Sequence, residues 1–171
     1  MTLLSILVAP DPRLKAKAQP VETVDDDLRR LIKDMLETMY AAPGVGLAAP
    51  QVGVAKQVIV LDVAKKDEPA QPMALVNPEI LWQSEEIGSY EEGCLSVPEQ
   101  YAEVTRPARV KVRYQDSQNE IREIEADGLL ATVLQHEIDH LSGILFVDHL
   151  STLKRGMILR KLEKAKKYAR M

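Results

Sequence analysis

Cysteine occurs once in the 171 residues, at Cys94. No internal disulfide can form, which fits a reducing compartment. Tryptophan and phenylalanine also occur once each, at Trp82 and Phe146. Aliphatic side chains and methionine must therefore fill the core. No apolar run is long enough to span a bilayer, so no membrane partner is expected. Residues 1–9 are mildly apolar, but they lack a basic leading region and meet Pro10 and Pro12 too soon for a signal peptide. These absences predict a cytoplasmic protein. The glycine-rich stretch at residues 41–53 lacks the Walker lysine and spacing, so it is not a phosphate loop.

The length suits a single domain, residues 1–171, with one core. The net charge of −4 hides an asymmetry. Residues 151–171 carry Lys154, Arg155, Arg160, Lys161, Lys164, Lys166, Lys167 and Arg170 against one acid, Glu163. A basic tail on an acidic body suggests a polyanionic neighbour, or else a solvated helix face.

The stretch that carries chemistry is Gln135-His136-Glu137-Ile138-Asp139-His140. Residues i and i+4 share one face of an α-helix. His136 and His140 at that spacing can grip one metal ion, with Glu137 beside them to handle a proton. The same H-E-x-x-H pattern marks zinc-dependent proteases. Leu129, Leu130, Val133, Leu134, Ile138 and Leu141 surround the motif with apolar residues, so the helix is expected in the core. Asp127 is placed to cap its start and Gly143 to end it. Two histidines leave the site one ligand short.

The remaining pattern predicts an α+β fold: antiparallel strands wrapped around the motif helix, with an N-terminal and a C-terminal helix. Residues 2–8 read as a short strand. Leu28, Leu31, Ile32, Met35, Leu36 and Met39 recur at helical spacing. Residues 57–63 read as a buried strand, and residues 73–82 as a strand interrupted at Asn77-Pro78. Val110, Val112 and Tyr114 alternate with polar residues inside an extended stretch at 102–115. Ile121 and Ile124 give it a partner strand across a turn at residues 116–119. A basic last helix is expected at about 152–168, with Leu153, Met157, Ile158, Leu162 and Ala165 on its docking side.

Cys94 lies in Glu92-Gly93-Cys94-Leu95-Ser96, between two β-like stretches. A lone cysteine in such a protein is a nucleophile, a metal ligand or an inert core residue. As a ligand it would complete a Cys/His/His tripod with one open position.

Three segments in this order resemble the peptide deformylase family: residues 44–51 (GVGLAAPQ), residues 92–96 (EGCLS) and residues 135–141 (QHEIDHL). The opening Pro10-Asp11-Pro12-Arg13-Leu14 is also similar. The resemblance covers nearly the whole chain. It implies a metallohydrolase that removes the formyl group from the formyl-methionine of new polypeptides. It implies one divalent metal on Cys94, His136 and His140, Fe(II) favoured, with Zn(II) or Ni(II) also suited to the ligand set. By the same resemblance Glu137 shuttles the proton, and the Gln51 side chain and Leu95 N–H stabilise the oxyanion. Tyr90, Gly93, Leu129, Thr132 and Val133 would line the methionine pocket. The backbone of Val45 and Gly46 would pair with the substrate strand, and Arg106 would support the cysteine motif. Pro43 and Tyr101 would flank the entrance. The expected partners are N-formyl-methionyl peptides or nascent chains, and the ribosome through the basic helix. Two alternatives compete: an H-E-x-x-H metallopeptidase, and a non-catalytic module that binds nascent chains at the ribosome.

Overall fold

The computed structural model describes residues 3–169. Helix α1 (Asp26–Ala41) starts where the Asp25 side chain accepts the Leu28 N–H at 2.8 Å. Leu28, Ile32, Met35 and Met39 fall on one face and are buried, as their spacing predicts.

The strands follow as β1 (Gly46–Ala48), β2 (Val58–Leu61), β3 (Met73–Gln83), β4 (Ile87–Cys94), β5 (Val97–Pro107), β6 (Val110–Gln115) and β7 (Ile121–Ala126). Five of them form an antiparallel sheet in the order β1-β2-β3-β6-β7. Strands β4 and β5 pair separately as a long hairpin. Two helices complete the chain: α2 (Gly128–His140) and α3 (Thr152–Ala169). The architecture is therefore the expected α+β class.

All four residues of β2 are buried because a helix covers each face of the sheet. Val58 and Val60 pack with Ile32, Met35 and Met39 of α1. Ile59 and Leu61 pack with Ala131, Val133 and Leu134 of α2. A strand with two covered faces reads as a continuous apolar run, which is what Val58-Ile59-Val60-Leu61 is. A third cluster joins Leu14, Val97, Val104, Phe146, Ile158 and Leu162, and fixes the hairpin and α3.

Several expectations need correction. Residues 3–8 are not a strand, and Thr2 lies outside the described residues. The segment makes single bonds to separate elements: Leu4 N–H to Thr38 Oγ1, Leu7 N–H to Gln51 O and Ala9 N–H to Ser96 O. Asn77 does not break β3. It takes φ 51°, shifts the register, and its side chain both donates to and accepts from the Val21 backbone at 2.8 Å.

Residues 102–115 are two strands in different sheets, divided after Pro107. Ile121 is exposed while Ile124 is half-buried, because residues three apart lie on opposite faces of a strand. Asp127 stands at the helix start but makes no side-chain cap bond. Leu153 is 70% exposed and Met157 45%, so α3 docks through Ile158 and Leu162 instead. Ala165 is exposed too. Among the described residues, no helix is long and apolar enough to cross a membrane.

Candidate metal centre

Strand β4 delivers Cys94, and α2 delivers both histidines. Their ligand atoms all lie within 4.8 Å of one another. Cys94 Sγ stands 3.4 Å from His140 Nε2. The two imidazoles meet edge to face, with centroids 5.0 Å apart, as a one-turn spacing dictates. Phe146 stacks on the outer face of His136 at 6.1 Å.

Glu137 points into the same space. Its oxygens lie 4.0 Å from His136 Nε2 and 4.0 Å from His140 Nε2. Oε1 is buried and has no hydrogen-bond partner. Burial pushes this carboxyl up to about 7. A buried carboxylate oxygen with no partner, facing a soft sulfur and two imidazoles, fits a site built around one divalent ion.

The imidazoles are held from behind. His136 Nδ1 lies 2.9 Å from Glu92 Oε1, which leaves Nε2 to face the cluster. Arg106 grips the same Glu92 through Nε at 2.7 Å and Nη2 at 2.9 Å. Burial opposes the Glu92 charge, but His136 and Arg106 outweigh it and hold the carboxyl below its usual range. Burial, with the charges on His136 and Arg106, pushes His140 well below its usual value and keeps it neutral. Burial also opposes a charge on His136, yet Cys94, Glu92 and Glu137 together outweigh it.

Gln51 is fully buried beside the sulfur. Its Oε1 accepts the Ala48 N–H at 2.9 Å, and its Nε2 lies 3.0 Å from Ser96 Oγ and 3.4 Å from Cys94 Sγ. The glutamine is held in the site rather than in an exposed connector, which explains a lone polar side chain in an apolar stretch.

An open groove of about 700 Å³ runs over the cluster, lined by Pro43, Val45, Gly46, Gln51, Leu95 and Tyr101 among others. A second cavity of about 100 Å³ opens beside α2. Tyr90, Gly93, Leu129, Thr132 and Val133 all line it, next to Val45 and Glu137. The Tyr101 ring lies against Gly93, where an added β-carbon would stand 2.5 Å from the ring. Strand β1 is the edge of its sheet, so its outer side is free of a neighbouring strand.

A model of the polypeptide deformylase family matches residues 3–156. The chain belongs to the polypeptide deformylase family. A peptide deformylase of Methylocella silvestris is 61% identical over 98% of this chain and 87% of its own length. One of Phenylobacterium zucineum is 60% identical over 99% of this chain and 100% of its own. The crystal structure of peptide deformylase from Ehrlichia chaffeensis matches the fold with a TM-score of 0.95 at 40% identity, covering 99% of this chain and 100% of that one. Membership in the deformylase family sets aside both the metallopeptidase and the non-catalytic module.

Sequence reasoning gave no role to four residues that contact or back the cluster: Glu92, Ser96, Asp139 and, at the far end of the hydrogen-bond chain, His149. Glu92 was detectable, since i and i+2 on a strand share a face and put it beside Cys94. Asp139 sits three residues after His136, the spacing of helix neighbours. Ser96 and His149 reach the site through a tight turn and a distant segment, and no local period marks them.

Proposed function

We propose that this chain, as one catalytic domain working in the cytosol, hydrolyses the formamide of N-formyl-methionyl peptides, releasing formate and a free amine. The observation that carries the reading is the Glu137 carboxylate, unpartnered and 4.0 Å from both histidines of the Cys/His/His cluster, at the floor of the groove.

Cys94, His136 and His140 would hold the metal. When bound, the ion polarises the formyl oxygen and lowers the pKa of the attacking water. Fe(II) is favoured by the family, and Zn(II) or Ni(II) fits the same donors. Metal content of protein purified without oxygen, paired with activity per metal, decides between them.

The chain's own residues do the rest. Glu137 takes the water's proton and passes it to the leaving amine. Gln51 and the Leu95 N–H donate to the oxyanion, each contributing roughly 3 kcal/mol to the transition state. The backbone of Val45 and Gly46, where the free edge of β1 begins, accepts the substrate backbone as an added strand. The cavity between Tyr90, Gly93, Leu129, Thr132 and Val133 takes the first side chain, and Arg106 steadies Glu92 behind His136. The basic face of α3 would keep the enzyme near ribosomal RNA, where formylated chains emerge.

The test is formate release from a formyl-Met peptide by metal-loaded wild type and Glu137→Gln. The substitution is expected to keep the metal and lose about 10²–10⁴ in rate. An unchanged rate in the loaded variant overturns the assignment.

A further inference from the structure

A chain of hydrogen-bonded side chains leads from His136 to the surface. Beyond Glu92 and Arg106, the guanidinium donates through Nη1 to Asp139 Oδ2 at 2.9 Å. His149 Nε2 lies 2.8 Å from that same oxygen. Glu92 and Arg106 are almost fully buried, whereas the His149 side chain is 35% exposed.

We propose that His149 is a positioning residue for the metal centre. It holds Asp139, and through Arg106 and Glu92 it sets the orientation and basicity of the His136 imidazole. The proposal rests on the reading that Cys94, His136 and His140 bind a metal.

Three features support it. First, one carboxylate oxygen serves both donors, so without His149 only Arg106 would hold Asp139 Oδ2. Second, Arg106 divides its donors between Glu92 and Asp139. A shift of Asp139 therefore changes what Glu92 receives, and Glu92 is the direct partner of the ligand. Such partners tune ligand basicity and metal affinity.

Third, His149 is itself fixed. It ends the short 3₁₀ turn Phe146–His149, whose Asp148 accepts from the Leu145 N–H, Lys15 and Arg155. The same turn puts Phe146 on the His136 ring. Residues 146–149 thus reach His136 by two routes, one through packing and one through hydrogen bonds. A half-exposed side-chain contact of this kind is otherwise worth little to stability.

The experiment compares wild type with His149→Phe, which keeps a ring and removes the donor, and His149→Gln, which keeps an N–H donor. Three quantities are read: the zinc dissociation constant by chelator competition, the visible spectrum of the Co(II)-loaded protein, and Tm. Replacing a direct partner of a ligand typically costs 10–100-fold in metal affinity, so His149→Phe, further out, is expected to cost about 3–10-fold. The cobalt bands should shift, Tm should stay close to wild type, and His149→Gln should restore both metal readouts.

Unchanged zinc affinity and cobalt bands in His149→Phe overturn the proposal. So does a His149→Gln protein as weak as the phenylalanine variant. If the phenylalanine variant does not fold, His149→Ala carries the same comparison. Wild-type protein that binds neither zinc nor cobalt would instead overturn the metal reading itself, a distinct result.

Discussion

Gly46 lies directly against the carboxylate of Glu137: a β-carbon on residue 46 would stand 2.5 Å from Oε2 and 2.9 Å from Cδ. The edge strand β1 therefore sets how far the carboxylate reaches into the groove. Gly46→Ala must move either the strand or the acid. A displacement near 1 Å at a reacting group can cost about 100-fold in rate. We expect kcat on a formyl-Met peptide to fall by about that factor while metal content stays at wild-type level. Parallel loss of metal would show that the substitution acts on the ligands instead.

Arg106 holds buried Glu92 by two bonds, beside the single contact from His136. Arg106→Leu leaves that buried carboxylate without its bidentate guanidinium, with only the His136 ring beside it. Breaking a buried pair in this way costs about 3–5 kcal/mol. Urea unfolding of the metal-free protein measures it, and a loss below about 1 kcal/mol, the range of exposed pairs, would contradict the pairing.

The first helix was legible because its apolar residues repeat at helical period and are buried accordingly; the motif helix was legible from the His136–His140 spacing and its apolar surround, although Leu129 of that surround is 45% exposed. The run at Val58–Leu61 was legible because both faces are covered. The residues now lining the groove were legible only as long motifs, since no spacing rule brings residues 44–51 next to residues 92–96. The sheet division at Pro107 was not legible, because alternation continues across it and only pairing partners differ. The outward turn of Leu153 and Met157 was hidden as well: a helix with apolar residues on two sides does not declare which side docks. The supporting network behind His136 depends on Arg106, Asp139 and His149, which come from three separate elements.

The cavity beside α2 predicts the first-residue preference. At about 100 Å³ it suits an unbranched apolar side chain, and its polar lining is Thr132, Tyr90 and His136 with the acids Glu91, Glu92 and Glu137. Burying a methionine side chain contributes roughly 2–3 kcal/mol. Formyl-Met peptides should exceed formyl-Ala in kcat/KM accordingly, and formyl-Asp should be poorest because like charges meet. Equal values across the three would rule the cavity out as the side-chain site.

Asp148 predicts a pH dependence of stability. Burial pushes its carboxyl up, but the Leu145 N–H, Arg155 and Lys15 outweigh this and hold it below its usual range. A depressed carboxylate stabilises the fold above its unfolded value of about 3.9, and that contribution disappears as pH falls through the folded value. Asp148→Asn should therefore lower Tm at pH 7. The gap to wild type should narrow progressively below about pH 4. A gap constant from pH 7 to pH 3 would mean that the charge plays no part.

The basic face of α3 gives the last prediction. Lys161, Lys164, Lys166 and Lys167 are exposed, while Ile158 and Leu162 are buried against the body. Arg170 lies outside the described residues. Cutting the chain after Arg160 would remove Leu162 from the core, so truncation mixes loss of charge with loss of packing. Replacing the four lysines by glutamine removes charge alone. If α3 holds the enzyme to ribosomal RNA, binding is dominated by phosphate contacts and falls steeply with salt, with a slope that shrinks as cations are removed. Co-sedimentation with ribosomes at low salt should drop in the four-glutamine variant, and its salt dependence should flatten. Turnover of a short formyl peptide should stay near wild type, because the groove lies on other elements. Undiminished co-sedimentation, or none in the wild-type protein, would leave α3 as a helix that only covers Phe146, Val97 and Val104.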